Sequence, residues 1–535
     1  MTLNQKKIEP HRLLGIKVEG IDLVETAYYE SFEFLSHDKF FIISPELRQI
    51  PSLPLIQTIQ FNLKFYLARE PLLEVIRHCL IESLNKHGIL KYFDTSIKEW
   101  IIVISKPELM KEVFHRTDAF QKLGKNEQKM EKAEFEFIGH DNLLYEIKEA
   151  HLRHRRISNP AFSHSWPPEL FGNLAIELFE VMDKVSEKSP TLEIHHFTKK
   201  FSLDVIGLAA FGCNFGGIKG ILTTRSKLEK AYDTAIDGMS DMKYVIFPIL
   251  EKIPGFRRPE LFNQIDYLNG VMLDIIKERK KILKFKKVNN DSDNNYDDDY
   301  DGPRDLLYYM LKAEEAQDDL KSHLTTEELL NNMKLFLTTG HETLSIALAA
   351  AIYFLGMNQE CQEKAREEAI RIIGDEKKNI IPNSEQIKEL KYINMVIKET
   401  LRIHPSAPIT TVRRTQKDTR LGEYAIKEGA ILIPEIYASH HFEESWEESH
   451  KFKPERFVDE KDTANKYFPF GSGSRICIGM NFSLAEQRVF LAMLVRKYSW
   501  KVTEPNIHKD KLQVKPALYG FAAPKNLEID FERRY

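Results

Sequence analysis

Cysteine is scarce in this chain of 535 residues, which holds only Cys79, Cys213, Cys361 and Cys477. Four are too few for a disulfide scaffold, and without a CxxC pair a structural zinc site lacks its usual ligands. Excess charge of one sign is lacking as well. The 76 Lys+Arg and 80 Asp+Glu leave a net charge of -4, so there is no positive field of the kind that draws nucleic acid, and no nucleic-acid partner is expected. The first 35 residues contain no apolar leader, being interrupted by Lys6, Lys7, Glu9, His11, Arg12, Lys17, Glu19, Asp22 and Glu25. The longest apolar run, Leu344 to Met357, is too short to cross a bilayer, so no transmembrane helix is expected. There is no internal repeat and no G-x-G-x-x-G dinucleotide fingerprint.

What is present is a globular composition, 42% hydrophobic and 29% charged. Residues 289–301, NNDSDNNYDDDYD, hold little that could pack and read as a flexible, solvated acidic loop. Residues 51–66 are apolar and Pro-marked, which favours a domain entry segment over a stretch lying on a membrane surface. Residues 1–50 are taken as an N-terminal extension without a transmembrane anchor, and residues 51–535 as one large domain. Thr325-x-x-Glu328 is a capping box, and the helix it starts meets no breaker except Gly340 before Met357. That is roughly 32 residues, or roughly 48 Å. A second helix is expected over Ser384–His404, ended by Pro405. Strand signals occur at Trp100–Ile104 and Ile431–Tyr437. The fold class is mainly α with a minor β region.

The most informative stretch is Phe468-Pro-Phe470-Gly471-Ser-Gly473-Ser-Arg475-Ile-Cys477-Ile-Gly479. Its glycines permit positive φ and let the backbone approach a flat ligand. Arg475 supplies a cation suited to a carboxylate. A helix expected over Asn481–Arg496 presents the positive end of its dipole near Cys477, which favours thiolate.

This loop resembles that of the cytochrome P-450 family, the haem-thiolate monooxygenases. The resemblance implies a single large fold with haem between a long central helix and a cysteine-containing proximal loop. Cys477 would be the axial iron ligand, Phe470 would pack beside the sulfur, and Arg475 would pair with a propionate of haem b. A thiolate ligand favours O–O cleavage. Three further stretches match the family. Glu399-Thr-Leu-Arg402, with Arg456 of Pro454-Glu-Arg-Phe457, resembles its buried structural triad. Thr339-Gly340-His341-Glu342-Thr343 resembles the pattern over the haem, where Thr343 and Glu342 would assist proton delivery to dioxygen. It departs from that pattern at Thr339 and Leu344. His151-Leu-Arg153-His-Arg155-Arg156 resembles the propionate-binding Trp-x-x-x-Arg helix, with Arg155 as the arginine and His151 in the place of tryptophan. Arg153, Arg155 and Arg156 are ambiguous between that role and the electron donor's docking face. Arg413, five residues before Asp418, resembles another propionate partner.

The activity implied is insertion of one oxygen atom from O2, the co-substrate, into a lipophilic or aromatic small molecule. Phe336, Thr339 and Ser406 to Val412 are the pocket candidates. Electrons would come from a separate NADPH-dependent flavoprotein reductase. By resemblance the protein would associate with the endoplasmic reticulum membrane, where the family usually uses an N-terminal anchor; with no such anchor in the first 35 residues, peripheral contact, a cytoplasmic protein or a wrongly predicted start are the alternatives. A haem-thiolate isomerase or dehydratase and a non-catalytic haem sensor remain as alternatives.

Overall fold

The structure is a computed structural model. It describes residues 47–535 except 69, 96, 128–131, 164–165, 224–226, 240, 242–243, 245–247, 290–303 and 316–321. The acidic stretch at 289–301, apart from Asn289, and the extension at 1–50, apart from its last four residues, lie outside the described residues.

The helices that frame the site are α1 (Lys132–Ile138), α2 (Lys148–Ser163), α3 (Pro168–Ser186), α4 (Ile194–Phe211), α5 (Lys227–Met239), α6 (Pro259–Asn289), α7 (Thr326–Met357), α8 (Gln359–Ile373), α9 (Lys391–Ile403) and α10 (Met480–Lys497). Strands β1 (Ile89–Asp94), β2 (Glu99–Ile104), β3 (Phe120–Lys122), β5 (Arg413–Thr415) and β8 (Ile431–Pro434) form a sheet ordered β1-β2-β8-β5-β3. A second sheet is ordered β4 (Thr191–Glu193), β10 (Glu528–Arg533), β9 (Tyr498–Val502), and β6 (Thr419–Leu421) pairs with β7 (Tyr424–Ile426).

The expected long helix is α7, 32 residues, and its capping box closes both ways. Glu328 N–H donates to Thr325 Oγ1 at 3.1 Å, and Thr325 N–H donates to Glu328 Oε2 at 2.9 Å. Apolar residues on nearly every side of α7 seat it in the main core, with α4 packed along it. Gly340 permits that packing, because a Cβ there would come within 3.0 Å of Ile206 on α4. Among the described residues α7 alone is long and apolar enough to cross a membrane, and most of it is buried in the protein.

Two expected elements differ from the structure. The helix over Ser384–His404 is broken at Leu390 into Ser384–Glu389 and α9. The Glu368 carboxylate, on α8, accepts the amides of Tyr392 at 2.8 Å and Ile393 at 2.9 Å, which starts a new helix there. That cap comes from another element, so periodicity within the segment cannot reveal it. The strand expected to reach Tyr437 stops at Pro434, because Glu435 turns its side chain onto the amides of Tyr437 and Ala438 and opens the helix Ile436–His440.

Residues 55–67 form a helix that packs on the first sheet. Phe61 is buried, and Asn62 donates to the Phe93 carbonyl at 3.1 Å, while Leu55 and Ile56 are exposed.

Candidate active site

The cysteine loop is fixed by its own backbone. Gly471 and Gly473 have φ of 70° and 72°, and a Cβ at Gly473 would lie 2.5 Å from the Phe114 carbonyl oxygen. Both features demand glycine. The Cys477 amide donates to the Phe470 carbonyl at 3.0 Å, which sets Phe470 beside the cysteine. At the loop's start the Phe468 amide donates to His440 Nε2 at 2.9 Å. The amides of Gly479 and Met480, at the start of α10, are turned to the sulfur. Burial pushes the Cys477 thiol up, while those two amides and the charges of Arg155 and Lys122 draw it down. Yet the side chain keeps accessible surface. A group deep enough to be desolvated and still accessible faces an internal space.

Around this sulfur lie four cations, Arg155, Arg475, Arg413 and Lys122, and the charge of Glu146 on Arg475 is outweighed there by burial and by Arg413 and Arg155. Arg155 on α2 donates to the Ile476 carbonyl at 2.8 Å, and Arg475 donates to the Glu146 carbonyl at 2.6 Å. Arg413 on β5 pairs in register with Lys122 on β3. Two cations directly opposite across antiparallel strands destabilise a sheet unless something anionic lies between them. Each of these groups perturbs the others. Burial, then Arg413 and Arg155, push Arg475 down to about 10, and burial brings Arg413 to about 10. Burial followed by Arg475 and Arg413 holds Lys122 well below its ordinary value. His151 is pushed down to about 3 by burial and by Arg475, Lys122 and Arg155, so its ring is neutral at pH 7. Arg475 Nη1 and Arg413 Nε are buried with no hydrogen-bond partner. Orphaned guanidinium donors beside a buried thiol suit a flat ligand that carries carboxylates, so the residues fit haem with its two propionates.

Lys122 was not singled out in the sequence. It stands in no motif, and only its register with Arg413 reveals it. Arg153, ambiguous in the sequence, is committed elsewhere: it pairs with Glu328 and donates to the His323 carbonyl at 2.6 Å, tying α2 to the start of α7. Arg156 is exposed.

Across α7 from Asn331 to Leu355, Thr339, Gly340 and Thr343 are the positions that keep accessible surface. Thr343 Oγ1 donates to the Thr339 carbonyl at 2.7 Å, and Thr339 Oγ1 donates to the Leu335 carbonyl at 2.8 Å. Ser406 Oγ donates to the Thr343 carbonyl at 2.8 Å and holds the Ser406–Val412 segment against this face. Phe336, a pocket candidate in the sequence at helical spacing from Gly340 and Thr343, is instead buried with its ring 5.6 Å from that of Phe162. Glu342 is buried beside Lys199 of α4, Nζ to Oε1 3.1 Å, with His341 Nδ1 3.6 Å away. Burial raises the Glu342 carboxyl, but Lys199 and His341 outweigh it and hold the group below its ordinary value. His341 in turn meets the Tyr232 hydroxyl of α5 at 3.1 Å.

Behind the loop, Glu399 and Arg402 are both 0% exposed and paired bidentately at 2.7 and 2.8 Å. Arg456 Nε reaches Glu399 at 3.2 Å, and Arg402 also donates to the carbonyls of His440 at 2.8 Å and Ser449 at 2.7 Å. Since His440 also receives the Phe468 amide, the three charged residues reach the cysteine loop through it.

Comparison with known proteins places residues 95–526 on the family model described as Cytochrome P-450. Cytochrome P-450 CYP72A613 of Trigonella foenum-graecum is 28% identical over 423 residues, covering 76% of this chain and 75% of that protein. The 11-oxo-beta-amyrin 30-oxidase of Glycyrrhiza uralensis is 28% identical with 76% and 75% covered. Secologanin synthase 1 of Catharanthus roseus is 28% identical with 80% and 79% covered.

Proposed function

Since this chain belongs to the cytochrome P-450 family, we propose that Cys477 is the thiolate ligand of its haem iron and that Lys122, His151, Arg155, Arg413 and Arg475 hold the two propionates. The protein is a haem-thiolate monooxygenase that uses haem b and O2, acts on apolar molecules and draws electrons from a separate reductase. Haem, when bound, supplies dioxygen activation and oxygen insertion. The remaining work falls to this chain's own groups. The Gly479 and Met480 amides and the Arg155 charge favour the thiolate against desolvation. Phe470, tied by its carbonyl to the Cys477 amide, is the side chain that would shield one side of the sulfur. Glu399, Arg402 and Arg456 brace the loop from behind. Thr343 donates its hydroxyl proton to the Thr339 carbonyl, so its oxygen accepts from a water on the open face of α7. Glu342, ionised and held by Lys199, is the buried carboxylate that relays protons: once the ion pair opens it takes one up from solvent and then passes that proton towards the water, returning to its ionised form.

Residues 51–535 act as one domain in this reading. The electron donor is an NADPH-dependent flavoprotein reductase, and attachment is peripheral to the endoplasmic reticulum membrane, with the exposed Leu55 and Ile56 in support. The substrate is a lipophilic small molecule of the kind the relatives' names describe, an 11-oxo-beta-amyrin among them.

The observation that carries the reading is the deep yet accessible Cys477 sulfur amid unpaired guanidinium donors. The test is the reduced carbon-monoxide spectrum. The wild-type protein should give the thiolate-type band and Cys477→Ala should lose it. An unchanged band in that variant overturns the ligand assignment.

A further inference from the structure

A hydrogen-bond chain lies at the other end of the open face of α7. Tyr145 OH donates to Glu134 Oε1 of α1 at 2.8 Å, and the hydroxyls of Tyr145 and Tyr519 are 3.1 Å apart. Tyr519 sits in the turn Leu518–Gly520 with φ 55°, ψ 17°, the left-handed region that a bulky side chain avoids. Such a conformation persists where the surroundings over-determine it, and those surroundings are the site. Tyr519 packs on the cluster of Ile346, Phe521 and Ala523, together with Ala407. Ile346 is one turn along α7 from Thr343. Ala407 follows Ser406, which is bonded to the Thr343 carbonyl and accepts the Ala522 amide at 2.9 Å. The turn also packs against α5.

The chain has a direction. A carboxylate only accepts, so the single proton of Tyr145 goes to Glu134. Tyr519 must then donate its own proton inward, to Tyr145 or to Glu134, and its oxygen is left with acceptor capacity alone. Burial pushes both phenols well above their usual range, so neither ionises near neutral pH. Tyr519 nevertheless keeps accessible surface, as Cys477 does. A desolvated phenol on a residue that keeps accessible surface, set among alanine, isoleucine and phenylalanine one turn from Thr343, is a polar pole in apolar surroundings.

We propose that Tyr519, aligned by Tyr145 and Glu134, is a specificity-determining hydrogen-bond acceptor that selects apolar substrates carrying a hydroxyl or amine N–H donor. The inference rests on the haem-pocket reading above and deepens it by naming the substrate's polar group. Carbonyl and ether oxygens have no proton to offer Tyr519 and gain nothing from it.

The test uses the haem-loaded full chain and three series of imidazole probes bearing linear chains of six to twelve carbons. One series ends in methyl, one in hydroxyl and one in methoxy. Imidazole ligation shifts the Soret band and gives a dissociation constant without turnover. At the chain length that reaches the pole, the hydroxyl probe should bind about 3- to 10-fold tighter than its methyl partner. The methoxy probe, an acceptor only, should gain nothing. Tyr519→Phe should erase the difference between hydroxyl and methyl probes, and Tyr145→Phe, which frees the direction of the Tyr519 proton, should weaken it. The proposal is overturned if no chain length favours the hydroxyl, if methoxy gains equally, or if the preference survives Tyr519→Phe. Absence of any Soret shift in all three series would overturn the haem reading along with it, so the two failures are distinguishable.

Discussion

Replacing Arg402 by alanine probes how the cysteine loop is held. The side chain is 0% exposed and makes two bonds to Glu399 and further bonds to the carbonyls of His440, Ser449 and Lys451. Its removal leaves a fully buried carboxylate with only Arg456 at 3.2 Å and the Lys453 amide at 2.9 Å. Breaking a buried ion pair costs about 3–5 kcal/mol, and the lower end applies because Arg456 remains. The stranded His440 and Ser449 carbonyls each add about 1 kcal/mol or more. The sum, about 5 kcal/mol, is comparable with the whole stability of many folded proteins. Arg402→Ala should therefore give little soluble holoprotein and a haem-to-protein ratio well below one. Arg402→Lys, a point charge with fewer donors, should fall between it and wild type. Arg456→Ala should cost less, about 1–2 kcal/mol, because its side chain is 13% exposed and water can reach the carbonyls it leaves. The assay is haem content by absorbance together with the urea midpoint of each variant. An Arg402→Ala protein with full haem content and a wild-type midpoint, or one more stable than Arg456→Ala, would refute the reasoning.

Thr343→Ala removes the hydroxyl on the open face of α7. NADPH consumption should continue while product falls and peroxide rises, with Thr343→Ser close to wild type; tight coupling in the alanine variant counts against a proton role. Lys122→Met should act in opposite directions on the two forms. The apoprotein midpoint should rise as repulsion with Arg413 is relieved, while haem transfer to apomyoglobin should quicken, and slower haem loss would exclude Lys122 from the propionate set. His440 has a pKa pushed down to about 3, by burial first and then by Arg402. A depressed folded value means that the unfolded chain binds more protons, so the stability this group contributes is complete above pH 6.5 and is lost as pH falls towards 3. The slope is about 1.4 kcal/mol per pH unit within that window. Protonation also removes the acceptor for the Phe468 amide. His440→Gln should flatten the acid side of the stability profile by about one proton; an unchanged slope in urea melts between pH 6.5 and 4.5 sinks this account.

The elements legible in the sequence are those whose cause is local. The capping box at Thr325, the run of α7 without a breaker other than Gly340 and the glycines before Cys477 act within a turn or two of themselves, and all three have a direct structural counterpart. The elements misjudged are governed from a distance. Glu368 caps a helix in another part of the chain and so divides Ser384–His404. Phe336 shares a helical face with Gly340 and Thr343 on a wheel, yet the Phe162 ring of α2 claims it. Lys122 carries no signal at all, since a lysine in a short strand is ordinarily solvated.

The same contrast separates residues that serve the fold from residues that serve a ligand. Glu399 and Arg402 are buried and fully matched, so their energetics close within the protein. Lys122, Arg413 and Arg475 are held close to one another, the two arginines each with a buried donor unspent, an arrangement that destabilises the chain by itself. A sequence can place cations near each other by accident. It does not hold several of them around one thiol, desolvated and with only the Glu146 charge set against Arg475, unless an anionic partner restores the balance. The apoprotein should therefore be the less stable form by more than loss of the iron–sulfur bond alone implies. Comparing haem-loaded protein with protein reconstituted with the iron porphyrin dimethyl ester, which keeps the metal and lacks the carboxylates, isolates that part. If the ester restores the full urea midpoint, the cations serve some other purpose.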